Sequence, residues 1–270
     1  MKIVALLTVR NEELYIEKCI EHLWAQGVEV YLTDNGSTDN TLKISKRFIG
    51  KGVMKIENLP YHGCFELHNI LEHEEKIASE INADWFIHHD ADEIREAPLP
   101  FKTLREGIEA VDKEDYNVIN FDEFVFIPAK EDTSFEGTDY TKEMEHYYFF
   151  DPRPLRKMNA WKKTSADIHL ADTGGHKLDF IGMKVYPINF ILRHYIFLSR
   201  KHAIQKYGAR KYSREEMDNL GWHRARALFD ALKFEFPSRE QMKKLTRDRD
   251  FDRSAPFITH PFLDSDRRNK

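Results

Sequence analysis

Cysteine is scarce in this chain: two in 270 residues, Cys19 and Cys64, at no metal-ligating spacing. That excludes a disulfide framework and a thiolate metal cluster, and it suits a reducing compartment. No apolar run approaches the ~20 residues that span a bilayer. Met1 to Leu7 is apolar but runs into Arg10-Asn11-Glu12-Glu13. That is too soon for a signal-peptide core with its cleavage site, so the stretch reads as a first strand. Neither sign of charge dominates, with Lys+Arg 41 against Asp+Glu 46 and a net charge of −5. Nucleic-acid binding through overall charge is thereby disfavoured. Internal repeats and low-complexity linkers are absent as well. What is present is a 41% hydrophobic and 13% aromatic composition, enough for a sizeable core. The expectation is a cytoplasmic protein without a membrane span, with peripheral membrane contact left open.

The first hundred residues alternate two periodicities. Strands are expected at 2–8, 28–32, 53–56 and 85–87. Between them, helical spacing predicts helices over 14–26, 42–49 and 65–81, each punctuated by glycine. Strand and helix in strict alternation predict a parallel sheet with helices on both faces. Ligands of such sheets bind beyond the carboxyl ends of the strands. Three polar loops fall there: Arg10 to Glu13, Asp34 to Asp39, and Asp90 to Glu93. Asp90 and Asp92 flank small Ala91, close enough to repel unless a cation or strong donor compensates. Alone, an Asp-x-Asp is more often a solvated acidic loop than a site; the convergence of three loops argues for a site. Of His88 and His89 one is expected to pack, because adjacent strand residues point opposite ways.

The second half is less regular. Residues 117–128 suggest paired strands closed by Pro128, 129–145 a polar loop, and 185–197 a strand broken by Pro187. Helices are expected over 203–211, 222–234 and 238–247, and the charged tail after Arg249 is expected to be loosely held. The organisation expected is a catalytic domain at 1–198, with a nucleotide-binding half at 1–100 and an acceptor half at 101–198, followed by a helical extension at 199–270.

Thr8-Val9-Arg10-Asn11-Glu12-Glu13, Asp34-Asn35-Gly36-Ser37-Thr38-Asp39 and Asp90-Ala91-Asp92-Glu93, in this order and spacing, resemble the family 2 glycosyltransferases of GT-A fold. Gly174-Gly175-His176, Arg193-His194-Tyr195 with Ser199, Lys206 and Arg210, and Gly221-Trp222-His223 resemble a subgroup with a His-Tyr motif after the last strand. The resemblance implies an α/β GT-A sheet with an elaborated mixed acceptor half and a helical C-terminal part. It implies a nucleotide-sugar donor, a divalent Mn²⁺ or Mg²⁺ ion, and transfer to a hydroxyl of a glycan or lipid-linked acceptor, as in polysaccharide biosynthesis, with inversion. Asp34 would meet the nucleotide base, and Asn11 and Glu12 would line the ribose. Asp90 would approach ribose or metal, Asp92 would bind the metal, and Thr8 would join the donor set. Many relatives have Pro and an aromatic where Thr8 and Arg10 stand, and an Arg-Asn pair where this chain has His68-Asn69. Arg10, Arg200 or Lys201 would then supply positive charge to phosphate. His194 would complete the metal shell or touch the diphosphate.

Inversion requires a general base for the acceptor hydroxyl. Asp167, Asp172 and Asp179 are available, and Asp179 with His176 is the choice. Trp161, Tyr186 and Trp222 could stack on a sugar, although core packing is the simpler reading. Two rivals stand beside this one: a metal-dependent phosphohydrolase built on His88, His89, Asp90 and Asp92, and a non-catalytic nucleotide- or sugar-binding module.

Overall fold

The computed structural model describes residues 1–227 and 234–263. They fall into two compact units. The first comprises 1–61, 67–122 and 155–192; the second comprises 62–66, 123–154 and 193–270.

In the first unit, strands β1 (Ile3–Val9), β2 (Glu29–Asp34), β3 (Val53–Asn58) and β4 (Trp85–His88) pair in parallel in the order β3-β2-β1-β4. Helices α1 (Ile16–Ala25), α2 (Thr41–Ser45) and α3 (Leu67–Glu80) connect them. The α/β alternation expected from the sequence is what the structure has. Strand β1 is buried on both faces, from Ile3 through Leu7. That accounts for its unbroken apolar run. Val4, Leu6 and Phe86 share a core cluster with Leu71, Ile77 and Ala78 of α3. The chain continues through β5 (Glu93–Glu96), α4 (Leu104–Lys113) and β6 (Val118–Ile119) to β7 (Phe121–Phe126). Strand β6 joins the first sheet through the antiparallel β9 (Ala160–Lys162), which lies beside β4. The strands expected within 117–128 therefore do not pair with each other. Trp161 is core, its ring centroid 5.8 Å from that of Phe86, and Tyr186 is also buried.

The second unit holds most of β7 paired antiparallel with β8 (His146–Phe150), which pairs in turn with β11 (Lys243–Lys244). Strand β10 (Phe190–Tyr195) enters this unit at Arg193. The loop expected at 129–145 contains one helical turn, Tyr140–Glu143. Helical structure occupies Arg200–Ala203 and continues over Ile204–Gly208. Of the helix expected over 222–234, Arg224–Ala227 is helical and 228–233 lie outside the described residues. The helix expected over 238–247 is corrected: a single turn at Arg239–Gln241 gives way to β11, because β8 offers hydrogen bonds to Lys243 and Lys244. The segment after Arg249 is held, up to residue 263, by aromatic packing. Phe251 stacks on Phe124 with centroids 4.1 Å apart, and Phe262 lies in a core cluster with Phe197.

Candidate functional site

The ends of β1 and β2 are in register, Val9 opposite Asp34, and the backbone N–H of Asn35 donates to the Val9 carbonyl. The two loops that follow are laced together. Asn11 adopts a left-handed φ of 57°, its backbone N–H donates to Ser37 Oγ, and its Oδ1 accepts from the Thr38 N–H at 2.7 Å. Glu12 N–H donates to Thr41 Oγ1, and Glu13 Oε2 accepts from both the N–H and the side-chain amide of Asn40. Asn11 therefore spends its side-chain carbonyl oxygen on the neighbouring loop. Asp34 is buried, yet the Ser37 N–H, 3.3 Å from both carboxylate oxygens, is the donor it has among the described residues. A buried carboxylate with one long hydrogen bond has acceptor capacity left for a ligand donor. The turn needs Gly36, at φ 71° and with its missing Cβ 3.1 Å from Tyr61 Cβ. Arg10 lies over the Tyr61 ring at 3.6 Å, and its Nε is buried without a hydrogen-bond partner.

The third loop leaves β4 as a tight turn in which Glu93 N–H donates to the Asp90 carbonyl. Its three carboxylates have different surroundings. Asp90 is exposed, and Asp92 is 7% exposed. Glu93 is buried between Arg95 Nη2 at 2.5 Å and Lys157 Nζ at 3.1 Å, so two protein cations already satisfy it. Arg95, fully buried, also donates from Nε to His89 Nδ1 at 3.1 Å and lies over the Phe121 ring. Burial and the Arg95 charge push the pKa of His89 down to about 3, which leaves the imidazole neutral.

His88 points the other way. Its Nδ1 lies 2.6 Å from Glu74 Oε2, and Glu74 Oε1 accepts from Thr8 Oγ1 at 2.8 Å. Burial opposes charge on His88, but the Glu74 carboxylate outweighs it and raises the pKa. Nε2 of His88 lies 3.0 Å from where a Cβ on Gly175 would sit. Both histidines are thus packed, where the sequence led us to expect one. Glu74, Arg95, Lys157 and Asn159, which organise this end of the sheet, were not anticipated. One signal was available for Glu74, which interrupts the apolar stripe Ile70, Leu71, Ile77 and Ala78 on α3.

The thiol of Cys19 is buried on α1. Its pKa is raised by burial and then by the charges of Glu93, Asp92, Asp90 and Glu12. Glu12 follows β1 and the other three follow β4, so carboxylates of both loops disfavour a thiolate at Cys19 on α1.

The remaining expected residues are dispersed. Asp179 is exposed, and its backbone N–H donates to the Ile168 carbonyl. The carbonyl of His176 accepts from Met158 N–H, next to Gly175. Asp172 is 2.9 Å from His169, and His68 is 3.5 Å from Glu72. His194, Arg200 and Lys201 belong to the second unit. There His194 Nδ1 lies 2.7 Å from Glu123 Oε1, and Arg200 Nη1 donates to the Phe234 carbonyl. Among the described residues no group of three or more His, Cys, Asp or Glu side chains is arranged to hold a metal ion by itself. No helix there is long and apolar enough to cross a membrane.

Comparison with known proteins bears on the loops. Residues 5–59 match the family described as Glycosyl transferase family 2. No curated protein matches the chain significantly. Among solved structures, Staphylococcus aureus TarS is similar at 14% identity and TM-score 0.43, over 76% of this chain and 39% of that one. TarS 1–349 in complex with UDP is similar at 13% identity and TM-score 0.41, over 73% of this chain and 61% of that one. The chain thus spans about 39 to 61% of the length of these structures. The resemblance first seen in the motifs is borne out over β1, α1, β2, α2 and β3, the stretch that matches Glycosyl transferase family 2.

Proposed function

We propose that this chain is a glycosyltransferase that takes a sugar from a nucleotide-sugar donor and passes it to a hydroxyl of a glycan or lipid-linked acceptor. The observation that carries this reading is the convergence of the loops after β1, β2 and β4 at one edge of a parallel sheet, within and beside the family 2 segment. Asp34 accepts a hydrogen bond from the nucleotide base. Asn11 and Glu12 flank the ribose, with Thr8 behind them. Arg10, held over Tyr61, offers its unpartnered Nε to the donor.

The donor set at β4 fits a divalent cation shared with phosphate. Such an ion needs only one or two protein carboxylates, because phosphates and water complete its shell. Glu93 is held by Arg95 and Lys157; Asp90 and Asp92, the Asp-x-Asp of this turn, are the carboxylates that would hold the cation. When bound, the cation offsets the charge that develops on the departing diphosphate. Asp179, exposed beside the His176 segment, takes the acceptor proton, and attack from the face opposite the leaving group inverts the sugar carbon.

A thermal-shift screen of UDP-, GDP-, dTDP- and CMP-linked sugars, each with and without Mn²⁺, tests the proposal. One nucleotide class should raise Tm, and more so with Mn²⁺, because a ligand that binds only the folded state stabilises it. No shift with any donor would contradict the proposal. Binding without transfer to any acceptor would favour a non-catalytic module.

A further inference from the structure

We propose that Arg210, Tyr212 and His223, all in the second unit, form a binding site for a phosphate group. The inference stands on this unit alone and goes beyond the donor site of the first. Segments 62–66 and 211–213 are joined by backbone bonds, Phe65 N–H to the Lys211 carbonyl and Ser213 N–H to the Phe65 carbonyl. This pairing sets the Phe65 and Tyr212 rings edge to face, with centroids 6.3 Å apart. The His223 ring lies against both, 5.4 Å from Phe65 and stacked on Tyr212 at 5.0 Å. The Arg210 guanidinium sits 4.8 Å above Phe65 on the same cluster.

Two atoms of this cluster are buried polar groups with no hydrogen-bond partner: the Tyr212 hydroxyl, on a residue only 8% exposed, and His223 Nε2. Native interiors rarely leave such groups unsatisfied, and each exception calls for an unseen partner. Surrounding charge says which kind. Burial lowers the pKa of His223 to about 3, with Arg226 and Arg210 adding to it, so the ring is neutral and its Nε2 can carry the proton. Arg210, Arg226 and Lys206 all oppose the burial that raises the pKa of Tyr212. Two orphaned donors within a cationic field match an acceptor-rich anion. His223 also holds a left-handed φ of 59°, which brings its ring onto Tyr212.

A phosphate could come from a nucleoside diphosphate or from a phosphorylated sugar on the acceptor side. Calorimetric titration of the full chain with inorganic phosphate, UDP and a hexose 1-phosphate separates these sources. It should be run on wild type, Tyr212→Phe, Arg210→Gln and Arg210→Lys, with thermal melts to confirm folding. Expected is binding of at least one probe that weakens about tenfold in Tyr212→Phe and more in Arg210→Gln, with partial recovery in Arg210→Lys. Variant-sensitive binding of UDP identifies the nucleotide as the source, and variant-sensitive binding of the hexose 1-phosphate identifies the sugar phosphate. Failure of every probe to bind wild type, or equal binding by all variants, would overturn the site. UDP that binds all four proteins alike reports the first unit and counts with the latter outcome.

Discussion

Glu74 Oε2 lies 2.6 Å from Nδ1 of His88, the last residue of β4 before the turn that carries Asp90 and Asp92. Glu74 also accepts from Thr8, so one buried carboxylate ties the end of β1 to the end of β4. Replacing Glu74 with Ala should destabilise the fold by about 3–5 kcal/mol, since it strands the His88 partner in a buried site. Glu74→Gln, which keeps an acceptor, should lose less. Chemical denaturation of the two variants checks the order; equal losses would show that a neutral acceptor at position 74 recovers nothing of what the carboxylate provides.

Gly175 should tolerate no side chain. It has a φ of 78°, and a Cβ there would lie 3.0 Å from His88 Nε2. Gly175→Ala should therefore cost on the order of 1–3 kcal/mol and disturb His88. A melt of that variant within experimental error of wild type would contradict the close approach.

Acid should weaken the fold through His89. Its folded pKa is about 3, below the ordinary value of 6.5, so between these pH values the unfolded chain binds more protons. Stability should be fully present above pH 6.5 and fall as the pH drops toward 3. At pH 5 the loss through this residue alone is about 2 kcal/mol. Unfolding free energies measured from pH 7 to pH 5 test the slope. His89→Gln should flatten it, and an unchanged slope in a folded variant would refute the assignment.

Arg95 and Lys157 together neutralise Glu93. Lys157→Met should be milder than Arg95→Met, because Arg95 also bonds His89 and Asn159. The difference should be about 1–3 kcal/mol. Paired denaturation curves decide it, and a larger loss in Lys157→Met would reverse the hierarchy.

The parallel strands and their loops were legible in the sequence because each strand is short, apolar and bounded by glycine or by a polar loop. Burial on both faces, as at Ile3 to Leu7, leaves an unbroken hydrophobic run that local reading detects. The supports of the loops were not legible. Glu93 and Lys157 are 64 residues apart, and no local period announces that they meet. The same holds for Lys243 and Lys244, whose helical surroundings in sequence yield to pairing with His146 and Tyr147. Phe251 sits in a charged tail but is fixed by Phe124. Charge in these places marks the ends of long-range contacts, which sequence spacing does not encode.

The central claim is that Asp92, on the turn after β4, serves a metal-assisted sugar transfer. Transfer from the donor identified by the thermal screen should be measured for wild type and Asp92→Asn, with and without chelator. The account predicts a loss on the order of a hundredfold or more in a folded Asp92→Asn protein, and loss of wild-type activity in chelator that Mn²⁺ restores. Full transfer by Asp92→Asn, or wild-type activity untouched by chelator, would contradict it.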